Sequence, residues 1–168
     1  MAIYLYAASI PVFKQYLFAL KDVLVKAEIQ AAAMKVAPGV FLEARLHPTM
    51  FPLIRQVQIA ADFAKGASAR LAGLDLPAYP DTEASFSELT ERIDRTIGFI
   101  DSIKPEQING QEARAVEYKV AGQMRRYEGL PYLLTYALPN FFFHVTTAYA
   151  ILRHNGIELA KKDFLGAA

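Results

Sequence analysis

Residues 137–156 read ALPNFFFHVTTAYAILRHNG. The run is apolar on most sides, begins near a proline and stops at Gly156. It predicts a helix from about Pro139 to Asn155, the main part of a longer helical region that starts near Leu130. A proline inside a helix removes one backbone donor and crowds the preceding turn, so a break or kink is expected at Pro139. At roughly 100° per residue, with Asn140 at zero, His144 falls near 40°, Thr147 near −20° and His154 near −40°. Asn140, His144 and Thr147 therefore make a polar stripe on a helix otherwise rich in Phe, Tyr, Ala and Leu. A buried polar stripe needs partners.

Three further helical patterns precede it. The first covers about residues 9–35: Leu17, Leu20, Leu24, Ala27 and Ala31 recur at spacings of three and four, behind Ser9 as a candidate cap. The second covers about residues 49–72. Thr49 is its candidate cap, Met50, Leu53, Ile54, Val57, Ala61, Ala64, Ser68 and Leu71 share a face, and Gly73 stops it. The third starts at Ser85, which with Glu88 fits a capping box, and keeps Phe86, Leu89, Ile93, Ile97 and Ile100 on one side. Residues 105–129 alternate polar and apolar side chains between glycines, which points to a small irregular or hairpin excursion. The expected fold is all-α: one domain over residues 1–168, built as a four-helix bundle with this excursion before the last helix. The tail is expected to pack across the bundle through Phe164 and Leu165.

Composition excludes several function classes. With 54% hydrophobic and 21% charged residues, the chain belongs to the soluble globular class. Eighteen basic against 17 acidic residues leave a net charge of +1, which offers no footprint for nucleic acid or an anionic membrane. There is no cysteine, so disulfides, thiolate metal sites and cysteine nucleophiles are absent. The start, MAIYLYAASIPVF, lacks a basic leader and no membrane-length apolar run exists, so a cytoplasmic protein is expected. The 11 Phe and 9 Tyr point to thick aromatic packing or a subunit interface. No G-x-S-x-G elbow, phosphate-binding glycine loop or H-E-x-x-H motif is present.

What remains is the stripe on the last helix. Two side chains at i and i+4 on an inner face can grip one ion if another helix adds a third ligand. Gln58 and Asp62 stand at i and i+4 on the flank of the second helix, with Gln56 on its opposite flank and His47 just before it. The expected pocket is Gln58, Asp62, Asn140, His144 and Thr147. The expected metal set, if zinc or nickel is held, is His144, Asn140, His47 and Asp62. A site of Gln58, Asn140 and His144 would be poor, because neutral amides are weak ligands for transition metals. The blander reading makes His144 a hydrogen-bonded core residue, and His154 a favourable charge at a helix C-terminus.

The run ALPNFFFHVTTAYAILRHNG, together with RLHPTMFPLIRQVQIAADFAKGASARLAG (residues 45–73) and the ending KKDFLG, resembles an uncharacterised, domain-of-unknown-function bacterial family within the DinB/YfiT-like metalloenzyme superfamily. The resemblance implies an up-down-down-up four-helix bundle, often dimeric. In its metal-binding members, which resemble thiol transferases or hydrolases, it implies three histidine ligands: one on the second helix and an H-x-x-x-H pair on the fourth. His144 matches the second of that pair, Asn140 stands where the first should be, and the second-helix position falls near Gln58. Three readings follow. One is a homodimer whose polar pocket binds a small ligand or is structural, with a degenerate metal site and no committed cofactor. Another is a divalent-metal enzyme using His144. The third is an adaptor with no pocket.

Overall fold

The computed structural model describes residues 4–120 and 122–166. Four long helices dominate: α1 (Ile10–Ala33), α3 (Leu53–Ala72), α4 (Phe86–Asp101) and α7 (Leu138–His154). Short helices α2 (Pro38–Leu42), α5 (Pro105–Ile108), α6 (Gly129–Tyr132) and α8 (Lys161–Leu165) lie between or after them. Strands β1 (Ala115–Val120) and β2 (Gln123–Glu128) pair as an antiparallel hairpin, in the register Tyr118↔Arg125. The fold is therefore mostly helical with one small sheet. Gly122 takes φ +82° in the hairpin turn, a left-handed conformation that suits glycine. Among the described residues no helix is long and apolar enough to cross a membrane.

Helix α3 packs against α4 and α7, and α1 packs against α4 and α7. The core lies between them, where Phe13 of α1 meets Phe141 of α7 edge-on at 5.0 Å. The α1 residues Leu17, Leu20, Leu24, Ala27 and Ala31 are all buried. Ala60, Ala64 and Ala67 of α3 are fully buried, so neighbouring backbones can come close. The tail folds back on α1: Phe164 packs on Tyr16 at 5.3 Å and Asp163 pairs with Lys26, while Leu165 stays exposed.

Several helix ends differ from the expected ones, each for a local reason. Helix α3 starts at Leu53, not near Thr49. Pro52 takes the cap position in extended backbone, and Thr49 instead bonds His47, its hydroxyl 3.0 Å from the ring Nδ1. Ser9 does not cap α1 with its side chain; its hydroxyl donates to the Leu5 carbonyl at 2.8 Å. At α4 the cap is present. Ser85 Oγ accepts from the Glu88 amide at 3.2 Å, while the Glu88 carboxylate accepts from the Ala84 amide, one residue earlier than a capping box requires.

Pro139 does not break the last helix. Residues 129–154 stay helical throughout, because Leu133–Ala137 form one π turn directly ahead of the proline. There the Leu138 amide reaches back five residues to the Leu133 carbonyl. The wider turn gives the proline ring room against the carbonyls before it, which accounts for the expected kink appearing as a π turn.

Candidate functional site

The centre of the candidate site is His144, on the face of α7 that meets α3. Its ring is 8% exposed, and Nδ1 lies 2.7 Å from Gln56 Oε1. Gln56 is itself buried, and its Nε2 donates to the Phe51 carbonyl at 3.0 Å. Together these bonds determine the proton's position. A carbonyl only accepts, so the amide's NH2 end must face Phe51 and its oxygen must face the imidazole. That oxygen also only accepts, so Nδ1 carries the hydrogen and the lone pair sits on Nε2. Nε2 makes no hydrogen bond among the described residues. The ring is sandwiched by aromatics: Phe63 stacks on it at 5.9 Å and Phe143 meets it edge-on at 5.2 Å. Burial, and after it the positive charge of Arg55, lowers the His144 pKa from 6.5 to about 4. The imidazole is neutral at pH 7.

The other expected residues divide between two places. Asn140 and Thr147 share the face of α7 with His144 but spend their donors on their own helix. Asn140 Nδ2 donates to the Tyr136 carbonyl at 2.8 Å, and Thr147 Oγ1 to the Phe143 carbonyl at 2.7 Å. Gln58 and Asp62 belong instead to an ion-pair network around Arg92 of α4. Gln58 accepts from Arg55 at 2.7 Å and donates to Glu83 at 2.8 Å. Asp62 Oδ1 receives Arg92 at 3.0 Å and Lys65 at 2.9 Å. His47 is exposed and bonded to Thr49. The α3 partner of His144 is thus Gln56, not Gln58.

Arg92 is fully buried, and its charge is matched by Glu83 at 2.9 Å and by Asp62 and Asp81 at 3.0 Å each. Burial pushes the Glu83 carboxyl up, but hydrogen bonds led by Arg92 outweigh it and hold the group below its ordinary value. The segment between α3 and α4 is thereby pinned to the core by charge-assisted bonds. Arg55, which also pairs with Asp81, joins this network to the surroundings of His144.

A family model described as "Domain of unknown function (DUF1993)" matches residues 5–165. The chain belongs to this family. It is also similar to the crystal structure, at 1.83 Å, of a DinB family member from Shewanella denitrificans, with 38% identity, a TM-score of 0.89, and coverage of 98% of this chain and 93% of that one. No curated protein matches. This DUF1993 chain is therefore DinB-like along nearly its whole length.

The donor set does not fit a divalent metal well. His144 supplies one imidazole with a free lone pair, Asn140 a neutral amide, and the Asp62 carboxylate is tied to Arg92 and Lys65. Catalytic zinc takes three protein ligands from imidazole, thiolate or carboxylate. Among the described residues no group of three or more His, Cys, Asp or Glu could hold a metal ion.

Of two residues central to the candidate site, Gln56 is placed from sequence only on the flank opposite Gln58 and Asp62, and Arg92 is not named. Gln56 stands in the chain Leu53, Gln56, Ala60, Ala64 and Ala67, whose three- and four-residue steps mark a buried stripe. Arg92 stands likewise in Leu89, Arg92, Thr96 and Ile100. A polar residue in such a stripe, together with the acidic loop between α3 and α4 that carries Asp81 and Glu83 for Arg92, is the signal that could have found them.

Proposed function

We propose that this DUF1993 protein is a DinB-like helical-bundle protein with a degenerate metal site, in which an amide–imidazole pair lies close to where the resemblance implies metal ligands, and which binds a small ligand through His144. The observation that carries this is the Gln56–His144 bond, with Gln56 held by the Phe51 carbonyl. It presents a neutral imidazole whose Nε2 can accept a hydrogen bond. An acceptor fits better than a general base, because efficient proton transfer needs a pKa near the working pH and this one lies at about 4. Asn140 and Thr147 flank the acceptor, and the network of Gln58, Asp62 and Arg92 keeps the cationic Arg55 nearby. The packing of α1 and α3 each against α4 and α7 supports an up-down-down-up four-helix bundle. Phe51 and Phe143, each 55% exposed beside the site, support a homodimer through this face.

The alternative is a divalent-metal enzyme of hydrolase or thiol-transferase type holding zinc or nickel through His144. The unbonded Nε2 is the one observation that favours it. Elemental analysis of untagged protein after mild chelation, paired with nitrogen NMR of His144, separates the two. The expected result is less than stoichiometric metal and a neutral ring protonated on Nδ1. Stoichiometric zinc or nickel that is lost in His144→Ala would establish the metal enzyme instead.

A further inference from the structure

A cavity lies where the hairpin covers α3 and the π turn. It measures about 300 Å3, at the lower end of the range of small-molecule sites, and Phe63, Arg70, Tyr118, Tyr132 and Tyr136 form its walls, with Lys119 beside them. The rings pack closely: Tyr118 and Tyr136 at 4.9 Å, Tyr118 and Tyr132 at 5.5 Å, Phe63 and Tyr136 at 5.7 Å. Of these residues only Phe63, which also stacks on His144, and Tyr136, whose carbonyl accepts from Asn140, touch the site described above.

Two polar features within this aromatic wall lack counterparts. The Arg70 guanidinium donates to the Tyr132 hydroxyl at 3.3 Å and lies 5.3 Å over the Tyr118 ring, yet it meets no carboxylate among the described residues. The Tyr118 hydroxyl is sealed from solvent and, among the described residues, has no hydrogen-bond partner. Burial, then the neighbouring Tyr136 hydroxyl, raises its ionisation well above the ordinary tyrosine range, so it stays a donor at neutral pH. Asp62, on one wall, already has its charge matched by Lys65 and Arg92.

An aromatic box alone would suit a cation. Here Arg70 already covers the Tyr118 face, and Lys119 adds a second positive charge, so a further cation would be repelled. A carboxylate, by contrast, would meet an uncompensated guanidinium, and a flat apolar body would stack on the tyrosines.

We infer that this cavity binds a small aromatic carboxylate, its carboxylate on Arg70 and its ring between Tyr118, Tyr132 and Tyr136. The site shares the wall residue Phe63 with the His144 site but does not use the imidazole. Gly66 makes room for it: a Cβ there would stand 2.6 Å from Arg70 Nη1 and would push the guanidinium aside.

Calorimetric titration of the full chain with benzoate, benzamide and inorganic phosphate tests this, with NMR of the tyrosine rings to locate binding. Benzoate should bind, with shifts at Tyr118, Tyr132 and Tyr136, and at least about tenfold more tightly than either benzamide or phosphate. Arg70→Gln should weaken benzoate by about tenfold or more in protein whose circular dichroism shows it folded. Gly66→Ala, which keeps the charge but displaces it, should weaken benzoate too, and decides the matter if Arg70→Gln does not fold. Absence of benzoate binding, benzamide or phosphate binding as tightly as benzoate, or wild-type affinity in the folded variants would overturn the proposal.

Discussion

Acid should destabilise this protein through His144 in a way that one substitution can isolate. The ordinary histidine pKa of 6.5 is lowered to about 4 in the fold, by burial first and by Arg55 second. Between those two values an unfolded chain binds a proton at this side chain and the folded chain does not. Lowering the pH therefore favours unfolding, so the His144 contribution is complete above about pH 6.5 and is lost as the pH falls towards 4. At about 1.4 kcal/mol for each tenfold change in proton activity, the loss totals about 3 kcal/mol. Carboxylates such as Glu83 also cost stability in acid, but they are common to wild type and His144→Gln. The difference in unfolding free energy between the two should thus move by about 3 kcal/mol in the variant's favour between pH 7 and 4. Urea unfolding followed by circular dichroism at intervals of pH measures that difference, and proton NMR of the His144 ring gives the titration directly. A difference that stays constant with pH, or a ring that titrates near 6.5, would refute the reasoning.

The other expectations concern the partners of these groups. Gln56→Ala should cost about 1–3 kcal/mol in chemical denaturation, because it leaves the buried Nδ1–H of His144 and the Phe51 carbonyl without partners. Arg92→Met should cost about 3–5 kcal/mol, since Glu83, with a side chain only 5% exposed, would keep its charge without its main counter-ion. Glu83→Gln in that background should recover part of the loss, and a double-mutant cycle reads the coupling. Ser85→Ala should lower stability by about 0.5–2 kcal/mol through loss of the bond to the Glu88 amide, measured by thermal unfolding.

Much of the fold could be read from periodicity. The faces of α1 and α4 follow from three- and four-residue spacing, and Ser85 could be read as a cap because its partner lies within the same turn. The excursion at 105–129 could be read as irregular or hairpin because alternation and glycines are local signals, but the short helix Pro105–Ile108 within it could not. The start of α3 could not, since Thr49 and Pro52 are both acceptable beginnings and the choice follows from packing against the Ala44 carbonyl, which accepts from Leu53 at 2.9 Å. The site was legible on one side only. His144, Asn140 and Thr147 share a stripe by helical geometry alone. Which glutamine of α3 faces them depends on the rotation of α3 against α7, which lies outside any single helix's pattern. The burial of Arg92 depends on three acidic groups, two of them from a loop without periodicity.

The π turn at Leu133–Ala137 sets the angular phase between the two ends of the last helical segment. One residue of an α-helix corresponds to about 100° of rotation about the axis. Deleting a single residue there would restore regular winding, but it would also swing Tyr132 and the hairpin behind it round the axis relative to His144. The tyrosine cavity and the imidazole would then no longer both face α3, where Phe63 now touches one ring from each. The turn thus acts as a spacer in angle rather than in length, and it lets one helix of α3 serve as a common wall for two sites.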